Sequence, residues 1–128
     1  MAKEIIRTDN APAPFGGAPY NQAVKTGGLV FLAGQIPVDA ATGQLVEGGI
    51  VEQTHKCFDN VAAILEAAGS DLTKVVRAQV YMIDLAEFGD MNGVYAERMG
   101  EPGPARSTVQ VANLPAGARV EIEVVAEA

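Results

Sequence analysis

Apolar residues recur along this chain with two different periods, and the alternation between them limits the possible folds. Over residues 50–68 they return every three or four positions, which is the pattern of an amphipathic helix that ends at Gly69. A second stripe of this kind predicts a helix from Asp84 to Gly100, with Glu87 completing a capping-box pair. Most of the remaining apolar residues alternate with period two, which is typical of strands.

Four segments carry the strand pattern, and they are residues 29–36, 75–83, 106–112 and 120–126. In the second of them, the side that carries Val76 and Ala78 is apolar and the opposite side is polar. Pro115 and Gly117 in the last link predict a hairpin between the last two strands. Matching the apolar sides of that hairpin predicts one shared polar face, which carries Arg106, Thr108, Gln110, Glu121 and Glu123.

Strands followed by a helix, a strand, a helix and two more strands predict an α+β fold in one domain, residues 1–128. The two helices cover only one face of the sheet. The other face mixes polar residues such as Arg77 and Tyr81 with apolar ones. Such a face is either solvated or packed against further copies of the chain.

Charge and hydropathy exclude several classes of partner. The formal net charge of −7 repels phosphate backbones and anionic membranes, so we expect neither nucleic acid nor membrane as a partner. The apolar stretch at residues 29–33 is far shorter than the roughly 20 residues of a membrane span. One cysteine cannot form an internal disulfide, and we expect a cytoplasmic protein.

Neither a metal site nor a nucleophile paired with histidine is predicted. His55, the only histidine, falls on the polar side of the first helix, and Cys57 falls on its apolar stripe. Neither residue has a partner at metal-ligand spacing.

Arg106 and Glu121 are the remaining pair that can carry chemistry, and two interpretations stay open. They form either a structural ion pair or a site in which Arg106 binds a ligand carboxylate while Glu121 holds water. Tyr20 follows a Gly/Pro-rich segment. Its ring is either positioned by this loop for a site or only packs against the rest of the fold. Asn92 lies in an apolar helix stripe and is either a structural amide or a ligand contact.

Several segments resemble the RidA (YjgF-like) family of reactive-intermediate deaminases. The C-terminal signature of the family is similar to residues 104–111, 114–115 and 120–126. Upstream, residues 19–24, 33–37 and 92–95 follow the order and approximate spacing of the family. The resemblance covers residues 3–126.

This resemblance implies a chorismate-mutase-like fold and a homotrimeric barrel with three clefts between subunits. It also implies hydrolysis of 2-enamino and 2-imino acids, such as 2-aminoacrylate, to 2-oxo acids and ammonia. The expected partners are a small carboxylate-bearing substrate and further copies of the chain. No metal or organic cofactor is required.

Site residues follow from the same resemblance. Arg106 matches the arginine that binds the substrate carboxylate, and Glu121 matches the acid that positions the hydrolytic water. Tyr20 and Asn92 match cleft residues from a neighbouring subunit, and Gly34 matches a backbone contact.

Three features depart from the pattern of the family, and one of them is the segment at residues 16–20, which is one residue longer than the common form. Thr108 stands where many members have cysteine, and its hydroxyl can still hydrogen-bond the water. Ala33 stands where some members place a hydroxyl. The alternative functions are a non-catalytic module that binds 2-oxo acids and, against the acidic charge, a ribonuclease or a chaperone-like protein.

Overall fold

A computed structural model describes residues 2–128 as one mixed sheet with two helices on one of its faces. Its strands and helices are β1 (Glu4–Ile6), β2 (Ala23–Thr26), β3 (Leu29–Leu32), α1 (Ile50–Ala67), β4 (Val75–Met82), α2 (Phe88–Met99), β5 (Ala105–Gln110) and β6 (Val120–Glu127). The strand order is β1-β2-β3-β6-β4-β5, and every neighbouring pair is antiparallel except β4 and β5. The α+β fold class is therefore confirmed.

Helix α1 forms where the apolar stripe predicts it. Its start is capped by Glu52, whose carboxylate accepts a 2.8 Å hydrogen bond from the backbone N–H of Gly49. That bond lowers the pKa of Glu52. Phe58, Val61 and Leu65 are fully buried against the sheet, and Gly69 takes the left-handed conformation (φ 79°) just beyond the helix end.

The predicted capping-box pair at the start of the second helix is wrong. Asp84 does accept a hydrogen bond, from the N–H of Ala86 at 2.9 Å, but it caps a short 3₁₀ turn and α2 begins only at Phe88. Glu87 instead lies 2.7 Å from a guanidinium nitrogen of Arg119. Both oxygens of Glu87 accept from the guanidinium of Arg119, and such a pairing of two ionised groups competes with a bond to a single backbone N–H.

Strand β4 shows one error in the predicted faces. A register irregularity between Val75 and Arg77 marks a β-bulge. It buries Val75 and leaves Val76 42% exposed, so Val76 does not share the apolar side with Ala78. A bulge adds one residue to the strand and therefore reverses the alternation at that point.

The predicted hairpin between the last two strands is also wrong. Strand β5 pairs with β4 in parallel, and β6 lies on the other side of β4. Parallel neighbours need a crossover connection, and α2 provides it. Thr108 pairs with buried Val80, whereas Glu121 pairs with Tyr81 on the other side of the sheet. Arg106, Thr108 and Gln110 therefore face the helices, and Glu121 and Glu123 face away from them.

The open face of the sheet is half polar, as predicted, but it carries fewer of the expected residues. Its polar members are Arg77, Gln79, Tyr81, Glu121 and Glu123, and its apolar members include Phe31 and Val109, each more than 40% exposed. No helix within residues 2–128 has the length and apolar character needed to cross a bilayer.

Helix α1 offers two valines for a test of the core. Val61→Ala is expected to lower the free energy of unfolding by about 2 kcal/mol, because it removes two buried methyl groups. Val51→Ala, on the same helix but 38% exposed, is the control and is expected to change it by less than about 0.5 kcal/mol. Urea denaturation measures both, and equal losses would contradict the assignment of this core.

Candidate functional site

The six site residues predicted from the sequence fall into two clusters on opposite faces of the sheet. The first, here called the arginine half-site, lies between β5 and α2 and consists of Arg106, Thr108, Asn92, Phe88 and Tyr95. The second, the glutamate half-site, lies on the open face and consists of Glu121, Gly34 and Tyr20.

The guanidinium of Arg106 is held entirely by neutral groups. Its Nη1 donates a 2.7 Å hydrogen bond to Oδ1 of Asn92. Its Cζ lies 4.4 Å from the centre of the Tyr95 ring and 5.4 Å from that of Phe88, which are cation–π distances. Asn92 therefore contacts Arg106 of its own chain, whereas the resemblance implied that a neighbouring subunit supplies Asn92 to this cleft. Its amide orients Arg106.

No carboxylate within residues 2–128 forms an ion pair with Arg106, so the predicted alternative of a structural pair with Glu121 is wrong. Two other arginines do have acidic partners, Arg98 with Asp59 at 2.9 Å and Arg119 with Glu87 at 2.7 Å. Arg106 keeps further N–H donors in the planar geometry that suits a carboxylate.

Two buried hydroxyls in the arginine half-site have no hydrogen-bond partner within residues 2–128, namely those of Thr108 and Tyr95. Burial raises the pKa of Tyr95, and the positive charge of Arg106 opposes that rise. Both hydroxyls therefore remain neutral donors near neutral pH. A buried hydroxyl without a partner is costly, which makes these two groups candidates for contacts with water or a ligand.

The glutamate half-site depends on an interruption of strand β3. The strand ends at Leu32 instead of Ile36, and Gln35 then returns to the sheet through paired hydrogen bonds of 2.8 and 3.0 Å with Ile122. Gly34 lies inside this interruption. A Cβ atom at Gly34 would lie 2.8 Å from the carboxyl carbon of Glu121, so only glycine leaves room for that carboxylate.

Tyr20 lies in the loop before β2 and contributes to the same half-site. Its hydroxyl oxygen accepts a 2.7 Å hydrogen bond from the N–H of Phe15, which fixes the loop, and 43% of Tyr20 is exposed. Both residues border an open cavity of about 430 Å³. The cavity is lined by Phe15, Ala18, Tyr20, Ala33, Gly34, Ile36, Pro115 and Glu121.

The pKa of Glu121 is raised above the ordinary value of a glutamate. Burial is the larger cause, and the negative charge of Glu123 on the same face is the second. Glu121 forms no ion pair within the described part of the chain. A raised pKa makes this carboxylate a stronger base than an ordinary glutamate, which suits it to proton exchange with a bound reactant.

His55 and Cys57 lie outside both half-sites. Nδ1 of His55 is 3.2 Å from a guanidinium nitrogen of Arg98, and Cys57 is fully buried, which raises the pKa of its thiol. No group of three potential metal ligands occurs among residues 2–128.

Sequence reasoning missed Phe88 and Tyr95 as members of the site. Together with Asn92 they follow the spacing of four and three that places residues on one helix face. Their spacing alone predicts only an apolar stripe on that helix. An amide at the centre of that stripe was the signal that a polar partner lies beneath it.

The chain is an α+β protein in which two helices form crossover connections on one face of a single sheet. An arginine and a glutamate lie in separate half-sites on the opposite faces of that sheet. The sequence model of the family described as Endoribonuclease L-PSP, the YjgF/RidA family, matches residues 8–128. The chain belongs to this family.

Individual relatives are similar over nearly the whole chain. A RutC family protein from Pyrococcus abyssi is 50% identical over 126 residues, covering 98% of each chain. The 2-iminobutanoate/2-iminopropanoate deaminase of Capra hircus is 44% identical over 126 residues, covering 98% of this chain and 90% of that protein. The crystal structure of RidA from Psychrobacter sp. PAMC 21119 has a TM-score of 0.92 at 44% identity, and the match covers 98% and 99% of the two chains.

Gly34→Ala tests the glutamate half-site. The added methyl group is expected to displace the carboxylate of Glu121 while the chain still folds, because that carboxylate is the end of a flexible side chain. Carboxyl ¹³C NMR should show a changed titration of Glu121.

Gly93→Ala is the matched control, since a Cβ there meets nothing within 4 Å. It lies within α2 and is expected to stabilise the protein by about 0.5–1 kcal/mol. An unchanged Glu121 signal in Gly34→Ala would contradict the proposed packing.

Proposed function

We propose that this protein is a homotrimeric deaminase that hydrolyses 2-enamino and 2-imino acids to 2-oxo acids and ammonia. The observation that carries the proposal is the guanidinium of Arg106, which is oriented by Asn92 and two aromatic rings and has no acidic partner within residues 2–128. A cation held in this way is arranged to bind the carboxylate of a ligand.

The two half-sites hold complementary groups. This supports a shared site that forms where two copies of the chain meet. Strand β5 is at the edge of the sheet, so the helix-facing Arg106 lies near a rim that a second copy can reach. The open face of that copy would supply Glu121, Gly34 and Tyr20. Exposed apolar residues such as Phe31 and Val109 make the same face suitable for burial in an assembly.

In the proposed mechanism, the substrate carboxylate is bound by Arg106, and the iminium carbon lies towards Glu121 of the next subunit. This carbon is already electrophilic, so the protein must only orient it and supply water. Thr108 and Glu121 position that water. Glu121 accepts a proton as the C–O bond forms, and it returns the proton to the amine nitrogen. As the C–N bond breaks, Glu121 accepts the proton of the new hydroxyl group, and the 2-oxo acid and ammonia are released.

Relatives support this reaction class, because proteins 43–44% identical to the chain carry deaminase names. RNA cleavage, which the family description mentions, finds less support. The net charge is −7, and RNA binding needs a basic surface.

In the alternative of a binding module, a 2-oxo acid would occupy Arg106 without turnover. Calorimetry with 2-oxobutyrate, run beside an ammonia assay, separates binding from turnover.

Arg106→Ala tests the carboxylate contact. With an imino acid generated in situ from 2-aminobutanoate, kcat/KM is expected to fall at least about 100-fold, since a charge-assisted bidentate contact is lost. Arg98→Ala is the control, because Arg98 is already paired with Asp59, and it should retain activity. Equal activity of wild type and Arg106→Ala would refute the proposed role.

Mixing two inactive variants tests the shared site. In trimers that contain both Arg106→Ala and Glu121→Gln chains, some interfaces join an intact Arg106 to an intact Glu121. Random assortment should restore about a quarter of the wild-type activity. Each variant alone should remain inactive.

No recovery in mixed trimers, with their composition verified by mass spectrometry, would place both residues of a working site on one chain. Light scattering that gives the mass of a monomer at micromolar concentration would remove the shared site altogether.

A further inference from the structure

Two residues beside the glutamate half-site have no place in the mechanism above. Glu123 lies two positions after Glu121 on β6, and Tyr81 lies opposite Glu121 on β4. We propose that Glu123, held by Tyr81, controls the proton exchange of Glu121, so that both are positioning residues of the reaction. This inference rests on the proposed function.

Strand geometry brings the two carboxylates onto the same face. Residues two apart on a strand point to the same side, about 7 Å apart along the chain. That spacing is shorter than the screening length of about 8 Å at physiological salt, so each carboxylate is exposed to the charge of the other. Repulsion from Glu123 favours the protonated form of Glu121, in the same direction as its burial.

Tyr81 holds Glu123 in this position. Its register partner on β6 is Glu121, yet its hydroxyl donates its hydrogen bond to Oε1 of Glu123. This bond, together with burial and the nearby carboxylates, raises the pKa of Tyr81 to about 12. The hydroxyl therefore remains a donor at every pH at which the reaction would be assayed.

No basic group within residues 2–128 forms an ion pair with either carboxylate. Arg77, the cation of β4 on this face, donates to Gln79 at 3.2 Å and to Ser107 at 3.5 Å. From the loop before β2, Tyr20 contributes a phenol to the cavity of Glu121. Behind the sheet, α1 contributes the thiol of Cys57, which burial keeps neutral. Within one chain, repulsion between the two glutamates is therefore not offset by an ion pair.

Glu123 acts through Glu121 and does not line the cavity that contains it. That cavity includes Glu121, Tyr20 and Gly34, whereas Glu123 and Tyr81 border a separate depression of about 290 Å³ on the open face. Loss of Glu123 should therefore leave KM for a small imino acid nearly unchanged at the pH optimum and alter the pH dependence of the rate.

Glu123→Gln is the primary test. Without the second negative charge, Glu121 should lose its proton at lower pH. The acidic limb of the kcat/KM profile is therefore expected to move down by about 0.5–1 pH unit. Tyr81→Phe keeps the ring but releases Glu123, so it should give a smaller shift in the same direction.

Glu127→Gln is the matched control. It removes the same charge from the same strand, but at a point six residues and about 20 Å beyond Glu121. No shift is expected in this variant. A shift equal to that of Glu123→Gln would show an effect of net charge and would overturn the proposal.

Titration of the Glu121 carboxyl by ¹³C NMR measures the same shift without any turnover. An unchanged Glu121 midpoint in folded Glu123→Gln overturns this inference, whatever the activity. A shift with Glu123→Gln but none with Tyr81→Phe overturns the part assigned to Tyr81. Wild-type protein that releases no ammonia from any imino acid overturns the proposed function instead, and the NMR midpoint still decides the interaction between the glutamates.

Discussion

The parallel pairing of β5 with β4 is the constraint on which the rest of the structure depends. Because α2 links these two strands, the side chains of Arg106 and Thr108 on β5 face the helices. There Asn92 and Tyr95 of α2 contact Arg106. An antiparallel hairpin with β6 would have placed Arg106 beside Glu121, and the two charges could then have paired. The topology keeps them apart, so each remains available for a ligand.

Both half-sites are built from interactions that leave a charge uncompensated. Arg106 is stacked on neutral rings and bonded to a neutral amide, while Glu121 is partly buried beside a second carboxylate. A fold optimised only for stability would pair these groups or replace them. Retaining them unpaired is reasonable where a substrate anion and a proton are to be exchanged, since a site complementary to the reacting species is incomplete without them.

Periodicity was sufficient to predict α1, the approximate range of α2 and the half-polar face, because each depends on local alternation. It was insufficient wherever the answer depended on which strands are neighbours. Matching apolar sides cannot distinguish a hairpin from a crossover, and so the faces of Arg106 and Thr108 were predicted wrongly. The bulge at Val76 and the interruption at Gly34 leave no trace in an apolar pattern. Asn92 was recognisable because an amide in an apolar stripe needs a partner.

The chemistry proposed for the two half-sites explains why His55 and Cys57, the most reactive side chains of the chain, take no part in it. His55 is bonded to Arg98, and Cys57 is sealed in the core, where burial raises the pKa of its thiol and suppresses the thiolate. An iminium carbon needs no strong nucleophile, because water attacks it readily once it is oriented and a base is at hand. A cation with free donors and a carboxyl group with a raised pKa therefore supply what such a reaction requires. In the proposed mechanism, their separation on one chain makes assembly a part of the catalytic requirement.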